Sequence, residues 1–318
     1  MRLSGFALIA SSLASVLAIS AAIAPSSSAS SAPPPGPDVH EVGQAAQSAA
    51  RSFWTPTAMT AATAASAVRQ ELRLGPLYGV GSLPSLISHS PPRGIPRSTS
   101  FSGVPTVGAL FYSSGSGRHF CTASVVASTT GTIVLTAAHC VYSGRYSSNL
   151  AFVPGYEDGS APYGAWAVKQ ITVAKGWRQH QDPSLDYAFL DVVPPPATVG
   201  PIQVVTGALT LGFRLHDKQS ITVIGYNDTD QRPIKCATKS FKFSNSQMEF
   251  YCRGFWYGTS GGPWIIGYHG GSGGGTVFGV IGGYEAGGYQ SWASYSTILW
   301  QAAQALFRQA EAAAAGAA

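Results

Sequence analysis

The chain has 318 residues, 45% of them hydrophobic and 11% aromatic, enough to build a sizeable core in one large domain or two small ones and too apolar for a disordered protein. Its formal charge of +5 comes from 19 Lys and Arg against 14 Asp and Glu, and the cations are scattered along the sequence. A nucleic-acid-binding chain would gather them into a stripe or patch, so the composition argues against that class of partner.

At the N-terminus, Arg2 precedes an uncharged stretch from Phe6 to Ala24 that ends in Ala22-Ile23-Ala24 and runs into a Ser/Ala/Pro segment. This reads as a secretory signal peptide over residues 1–32. Pro25 would hinder cutting directly after Ala24, and a site within Ser28 to Ala32 fits equally. The alternative is a membrane anchor, since the stretch nearly reaches the ~20 residues that span a bilayer; its many Ser and Ala residues weaken that alternative. The expectation is a secreted, extracellular, monomeric protein with no stable membrane anchor once the leader is removed.

Residues 33–97 are rich in Pro, Ser and Ala, with one helix-compatible piece from Ala58 to Leu74 and then Pro84, Pro91, Pro92 and Pro96 as breakers. Such a segment cannot build a core of its own. It reads as a pro-region removed by proteolysis after Arg93 or Arg97, or as a flexible linker that stays. From Val104 the pattern changes. Thr106–Tyr112, Thr122–Ala127, Thr132–Ala137, Trp166–Thr172, Asp186–Val192, Ile221–Tyr226, Phe241–Tyr251 and Thr276–Ile281 are β-branched or aromatic runs, separated by turn-forming residues, and they predict an all-β sandwich or barrel. Ser296 to Glu311 predicts a closing amphipathic helix, with Ile298, Leu299, Ala302, Ala305 and Leu306 available for its apolar face. Residues 312–318 form an Ala/Gly tail, expected to fray.

Two short motifs carry chemistry. In Gly258-Thr259-Ser260-Gly261-Gly262-Pro263, glycines on both sides let the backbone turn tightly around Ser260, exposing its Oγ and freeing nearby N–H groups for a developing oxyanion. Thr136-Ala137-Ala138-His139-Cys140 supplies a base that could take the hydroxyl proton. His119, His180, His216 and His269 read as surface or loop residues, and Ser272 in the Gly270–Gly275 run lacks the proline and strand that follow Ser260. Cys121, Cys140, Cys236 and Cys252 make an even set. Local pairing, Cys121 with Cys140 and Cys236 with Cys252, would close loops each worth on the order of 3 kcal/mol; three connectivities are possible by arithmetic. A metal site is the alternative, but no Cys-x-x-Cys spacing or His pair accompanies them. No motif calls for a cofactor.

Phe120 to Val126, Leu135 to Cys140, Asp186-Tyr187-Ala188-Phe189-Leu190 and Gly258 to Pro263 together resemble the chymotrypsin-like serine endopeptidases of the trypsin superfamily, especially their bacterial secreted branch. The resemblance covers residues 98–311. It implies two six-stranded antiparallel β-barrels with the active site between them, His139 and Asp186 coming from the first and Ser260 from the second. By the triad template His139 acts as general base, Asp186 orients its imidazole, and Ser260 attacks the peptide carbonyl of a protein or peptide substrate. Asp182 and Asp191 compete for the acid's role; Asp186 is preferred because it opens an apolar strand. The N–H groups of Gly258 and Ser260 would form the oxyanion hole.

The family pattern also suggests that Gly254, Phe255, Gly282, Gly283 and Tyr284 line the specificity pocket, beside Arg253, which could attract an acidic side chain or be a surface charge; Phe255, Trp256, Tyr257 and Tyr284 could equally make an apolar or narrowed pocket. No carboxylate stands at the expected pocket floor, against a preference for Lys or Arg. Most members carry Asp immediately before the nucleophile, where this chain has Thr259, so activation by pairing that position with a new N-terminal ammonium is not expected. Two other classes compete: a catalytically inactive protease-fold binding or adhesion module, which need not keep all three residues, and an α/β-hydrolase esterase. The esterase's Gly-x-Ser-x-Gly turn matches, but its chain order places histidine after serine.

Overall fold

The computed structural model describes residues 37–64, 90–215, 218–228, 231–271 and 273–316; the expected leader lies outside them. The first described segment holds strand β1 (Pro37–Glu41), helices α1 (Gln44–Phe53) and α2 (Pro56–Thr60), and the two-residue strand β2 (Thr63–Ala64). It is packed, in contrast to the weakly structured stretch expected there. β1 pairs antiparallel with a strand of the first barrel, and Ala50, Trp54 and Met59 are buried. Weak local patterning does not prevent structure when the barrel completes the apolar surface. The helix expected from Ala58 ends at Thr60, and Thr63 joins a sheet instead; the remainder of that expectation, 65–74, lies outside the described residues.

After β3 (Thr99–Ser100) come β4 (Val107–Ser114), β5 (Gly117–Val125), β6 (Ile133–Thr136), β7 (Ser148–Pro154), β8 (Trp166–Ala174) and β9 (Ala188–Val193). Antiparallel ladders run β4–β5, β5–β6, β6–β9, β9–β8, β8–β7 and β7–β4, so these six strands close on themselves. Leu110, Val125, Val134, Phe152, Ile171 and Leu190 are among the fully buried residues of this first barrel. Closure leaves few free edges for solvent or another chain.

The second half contains β10 (Thr210–Leu211), β11 (Ser220–Tyr226), β12 (Pro233–Lys242), β13 (Gln247–Tyr251), β14 (Pro263–His269), β15 (Gly274–Val280) and β16 (Ala293–Thr297). Its pairing order is β10-β15-β14-β11-β12-β13-β16. The six strands β11–β16 form the second barrel expected. Between β15 and β16 it is joined by single bonds, Val280 N–H to Ser296 Oγ at 2.9 Å and Gly282 N–H to the Tyr295 carbonyl at 3.0 Å. Its core centres on Trp264, edge-on to Phe250 at 4.9 Å and to Phe278 at 6.4 Å, geometries that aromatic quadrupoles favour.

Three boundaries differ from the sequence-based expectation. The run Phe241–Tyr251 is a hairpin, because Phe243 and Ser244 N–H groups both donate to the Gln247 carbonyl and turn the chain. Ser296 belongs to β16, paired with Met248, so the closing helix begins only at Gln301. That helix continues to Gly316, through residues expected to fray: alanine is the best helix former, and Ala303, Leu306, Ala310 and Ala314 are buried along one face. Among the described residues no helix is long and apolar enough to cross a membrane.

Candidate active site

β6 delivers the chain into a short helix, Ala138–Val141, in which His139 is 3% exposed. Cys140, next to it, is bridged to Cys121 of β5; the second bridge joins Cys236 to Cys252. Both are the local pairings. Asp186 sits between a turn over Pro183–Leu185 and β9, fully buried. Its Oδ1 accepts the backbone N–H of His139 at 2.9 Å, and its Oδ2 lies 2.7 Å from His139 Nδ1. Gly283 N–H adds a third donor, to Oδ2 at 2.8 Å. Burial pushes this carboxyl up, but the charge and hydrogen bonds of His139, with the Gly283 amide, outweigh that and hold it below its ordinary value. Asp182 is spent instead on its own turn, accepting from Ser184 N–H and Oγ, and Asp191 pairs with Lys169.

Ser260 is 3% exposed and lies in a turn whose geometry demands glycine at two points. Gly258 has φ +90 and a Cβ there would come within 2.4 Å of the Phe120 ring; Gly261 has φ +80 and a Cβ would meet the Thr122 carbonyl at 2.1 Å. The same added Cβ on Gly261 would stand 3.0 Å from Ala137 N, so the serine turn abuts the segment leading into His139. Neither the Gly258 nor the Ser260 N–H donates to an acceptor among the described residues. Thr259 is 3% exposed, and its hydroxyl donates to the Trp256 carbonyl at 2.7 Å. The turn is therefore fastened from within, with no charge partner at that position.

A cavity of about 20 Å³ adjoins Ser260. Phe255 lines it, together with Trp256, Tyr257, Ile281, Ala286, Gly287, Gly288, Gln290 and Ser294. The other four pocket residues anticipated from the family pattern stand elsewhere. Gly254 N–H donates to the Ser291 carbonyl and its own carbonyl accepts from Asn227 Nδ2. Gly282 packs against Asp186, where a Cβ would be 3.1 Å from Oδ2, and Gly283 serves the same carboxylate. Tyr284 is 40% exposed and packs on Phe243 and Tyr295. Arg253 bonds through its backbone to Pro96 and Ser98 and does not line the cavity. Trp256 and Tyr257 belong to the aromatic group weighed for an apolar pocket from the sequence; Gln290 and Ser294 gave no signal, because only the fold brings them there. A larger cavity, about 700 Å³, lies between Arg93–Pro96 and the strands β11, β12 and β14, away from Ser260.

Compared with known proteins, residues 96–297 match the family model described as trypsin. The solved structure of the protease Anisep from Arthrobacter nicotinovorans is similar at a TM-score of 0.60 and 25% identity, covering 68% of this chain and 99% of that one. The thermostable serine protease AL20 from an extremophilic microorganism is similar at 0.58 and 26%, covering 65% and 97%. A Glu endopeptidase at 0.56 and 16% identity, covering 69% and 98%, shares the fold. The extracellular metalloprotease of Bacillus subtilis (strain 168) is 34% identical over 110 residues, 33% of this chain and 34% of that protein, so the match spans about a third of that relative's length.

A metal does not fit the candidate ligands among the described residues. Among the described residues the clustered candidate ligands are Cys121, His139 and Cys140, and both sulfurs are committed to the disulfide while His139 Nδ1 faces Asp186. The family match and the barrel pair agree: the chain belongs to the trypsin family and is a serine endopeptidase, a hydrolase of peptide bonds.

Proposed function

We propose that the chain is a secreted endopeptidase that works through an acyl-enzyme formed on Ser260, with His139 as general base and Asp186 as the orienting acid. The observation that carries this reading is the Asp186 carboxylate, fully buried yet given three donors, two of them from His139. A charge is kept in the interior at such cost only when it is paired, and here it fixes the Nδ1 proton of His139, leaving Nε2 as the basic nitrogen. His139 would take the Ser260 Oγ proton as Oγ bonds to the substrate carbonyl carbon, then hand that proton to the leaving amine. Gly258 and Ser260 N–H groups would stabilise the oxyanion, and water would release the acyl group by the reverse proton path.

The cavity beside Ser260 has no charged side chain in its lining and holds about one water's volume. It therefore favours a small, uncharged residue on the acyl side of the cleaved bond, and disfavours Lys, Arg, Asp and Glu. Secretion is supported by the two disulfides, which persist in oxidising compartments. The test is mass spectrometry of products from a mixed peptide library, with Ser260→Ala as control. Cleavage after small neutral residues that vanishes in the variant is expected; cleavage that persists in Ser260→Ala contradicts the assignment of the nucleophile.

A further inference from the structure

The edge of β5 beside the nucleophile carries an extended piece of the chain itself. β5 pairs with β4 from Gly117 to Ser124, but with β6 only at Ser124 and Val125. Its other edge is thus open before those residues. On that edge Thr122 N–H donates to the Ser260 carbonyl at 2.7 Å. Backbone polar groups alternate between the two edges of a strand, so those of Phe120 face the same side, about 7 Å further along. β2 lies there, parallel to β5, with Thr63 opposite His119 and Ala64 opposite Phe120. Thr63 Oγ1 donates to the Arg118 carbonyl at 3.2 Å and lies 3.1 Å from His119 Nδ1, while Ala64 is 2% exposed. The Phe120 ring in turn touches the position a Cβ on Gly258 would take.

The small cavity beside Ser260 is built from residues 255–260 and 281–294 and has no β5 residue in its wall. A peptide that places its acyl-side residue in that cavity sends its leaving-side residues away from it, toward β5. An open strand edge recognises an extended peptide through main-chain hydrogen bonds. We propose that Thr63–Ala64 is a built-in competitor for this edge, making residues 37–64 an inhibitory segment that excludes the leaving-side part of a substrate from the intact chain. The proposal rests on Ser260 being the nucleophile.

Two residues of strand would compete poorly if free. Here they are tethered: β1 pairs with β8 over five residues, Asp38 is held by Arg178 and Tyr146, and the buried Trp54 donates its indole N–H to the Asn149 carbonyl. Such anchoring raises the local concentration of a weak contact into the mM range. It also keeps the segment docked on the barrel when the chain is cut beyond it.

The test uses the full chain and two substrates that share their acyl-side residues, one a quenched peptide with three residues after the cleaved bond and one an anilide with none. In Thr63→Pro, which removes the N–H that this parallel register turns toward β5, kcat/KM for the extended peptide should rise about tenfold, mainly through KM, with the anilide changed less than about twofold. Thr63→Val, which keeps shape and strand propensity but loses the hydroxyl bonds, should show the same split at about threefold and serves if Thr63→Pro does not fold. Equal changes on both substrates, or none on the extended peptide in a variant that labels normally with a fluorophosphonate, overturn the proposal. Absence of labelling in the unmutated chain would instead overturn the assignment of Ser260.

Discussion

The Thr122 hydroxyl donates to the Gly258 carbonyl at 3.1 Å and accepts the Tyr226 N–H at 2.8 Å, while the Thr122 N–H holds the Ser260 carbonyl at 2.7 Å. A single residue of the first barrel therefore fastens the turn that carries Ser260 in the second. Thr122→Val keeps the volume and β-branching but strands a buried N–H and a buried carbonyl. That should cost about 1–3 kcal/mol of stability and lower kcat more than it raises KM, because the Gly258 and Ser260 amides proposed to bind the oxyanion lose their mooring. Urea titration alongside steady-state kinetics checks both; a variant with unchanged stability and kcat contradicts the role.

Gly261 cannot accept a side chain. Its φ of +80 and the 2.1 Å approach of a Cβ to the Thr122 carbonyl mean that Gly261→Ala must move the turn or the barrel wall. Activity should fall more than about 100-fold, as when an oxyanion donor is displaced, with a lower midpoint of thermal unfolding. Wild-type kcat in a folded Gly261→Ala protein would show that the turn is more yielding than the geometry implies.

Asp186 gives a pH signature. Its folded-state pKa lies below the ordinary 3.8, so its ionisation stabilises the fold above that value, and the contribution is lost as pH falls through the lowered folded value. Asp186→Asn should remove this acid limb and, by the triad template, reduce kcat about 10⁴-fold at neutral pH. Thermal unfolding from pH 6 to pH 2 should show the wild-type advantage shrinking below about pH 3.8. A gap between the two proteins that stays constant with pH would assign the destabilisation to packing instead.

The bridge between Cys121 and Cys140 joins β5 to the helix that bears His139 across a separation of 19 residues. Replacing both cysteines by Ser should cost about 3 kcal/mol on the chain-entropy account and loosen His139 more than Ser260. Reduced kcat with an unchanged second disulfide, read by peptide mapping, is the expected outcome. Full activity in the doubly substituted protein would mean that the Asp186 bonds alone position His139.

Where a side chain's setting is local, the sequence was informative. His139 follows directly from the β6 strand, Ser260 stands between glycines that the turn requires, and both disulfides join near neighbours along the chain. What escaped was assembled at a distance. Gly283 looks like a pocket residue by position, yet its N–H turns toward Asp186 because Gly282 leaves room for the carboxylate. Thr122 reads as an ordinary strand residue until β5 is laid against the serine turn. Trp54 and Met59 sit in a stretch too poor in pattern to predict, since their burial is supplied by strands that follow much later. The β12–β13 hairpin was hidden because its turn, Ser244 to Ser246, interrupts an otherwise continuous run of strand-forming residues.

The most direct measurement is reaction of the purified chain with a fluorophosphonate, followed by intact mass and peptide mapping. The account predicts one adduct per molecule, located on Ser260, with labelling abolished in Ser260→Ala and slowed by at least about 100-fold in His139→Ala. A folded wild-type chain that takes up no label, or one labelled at a residue other than Ser260, would contradict it.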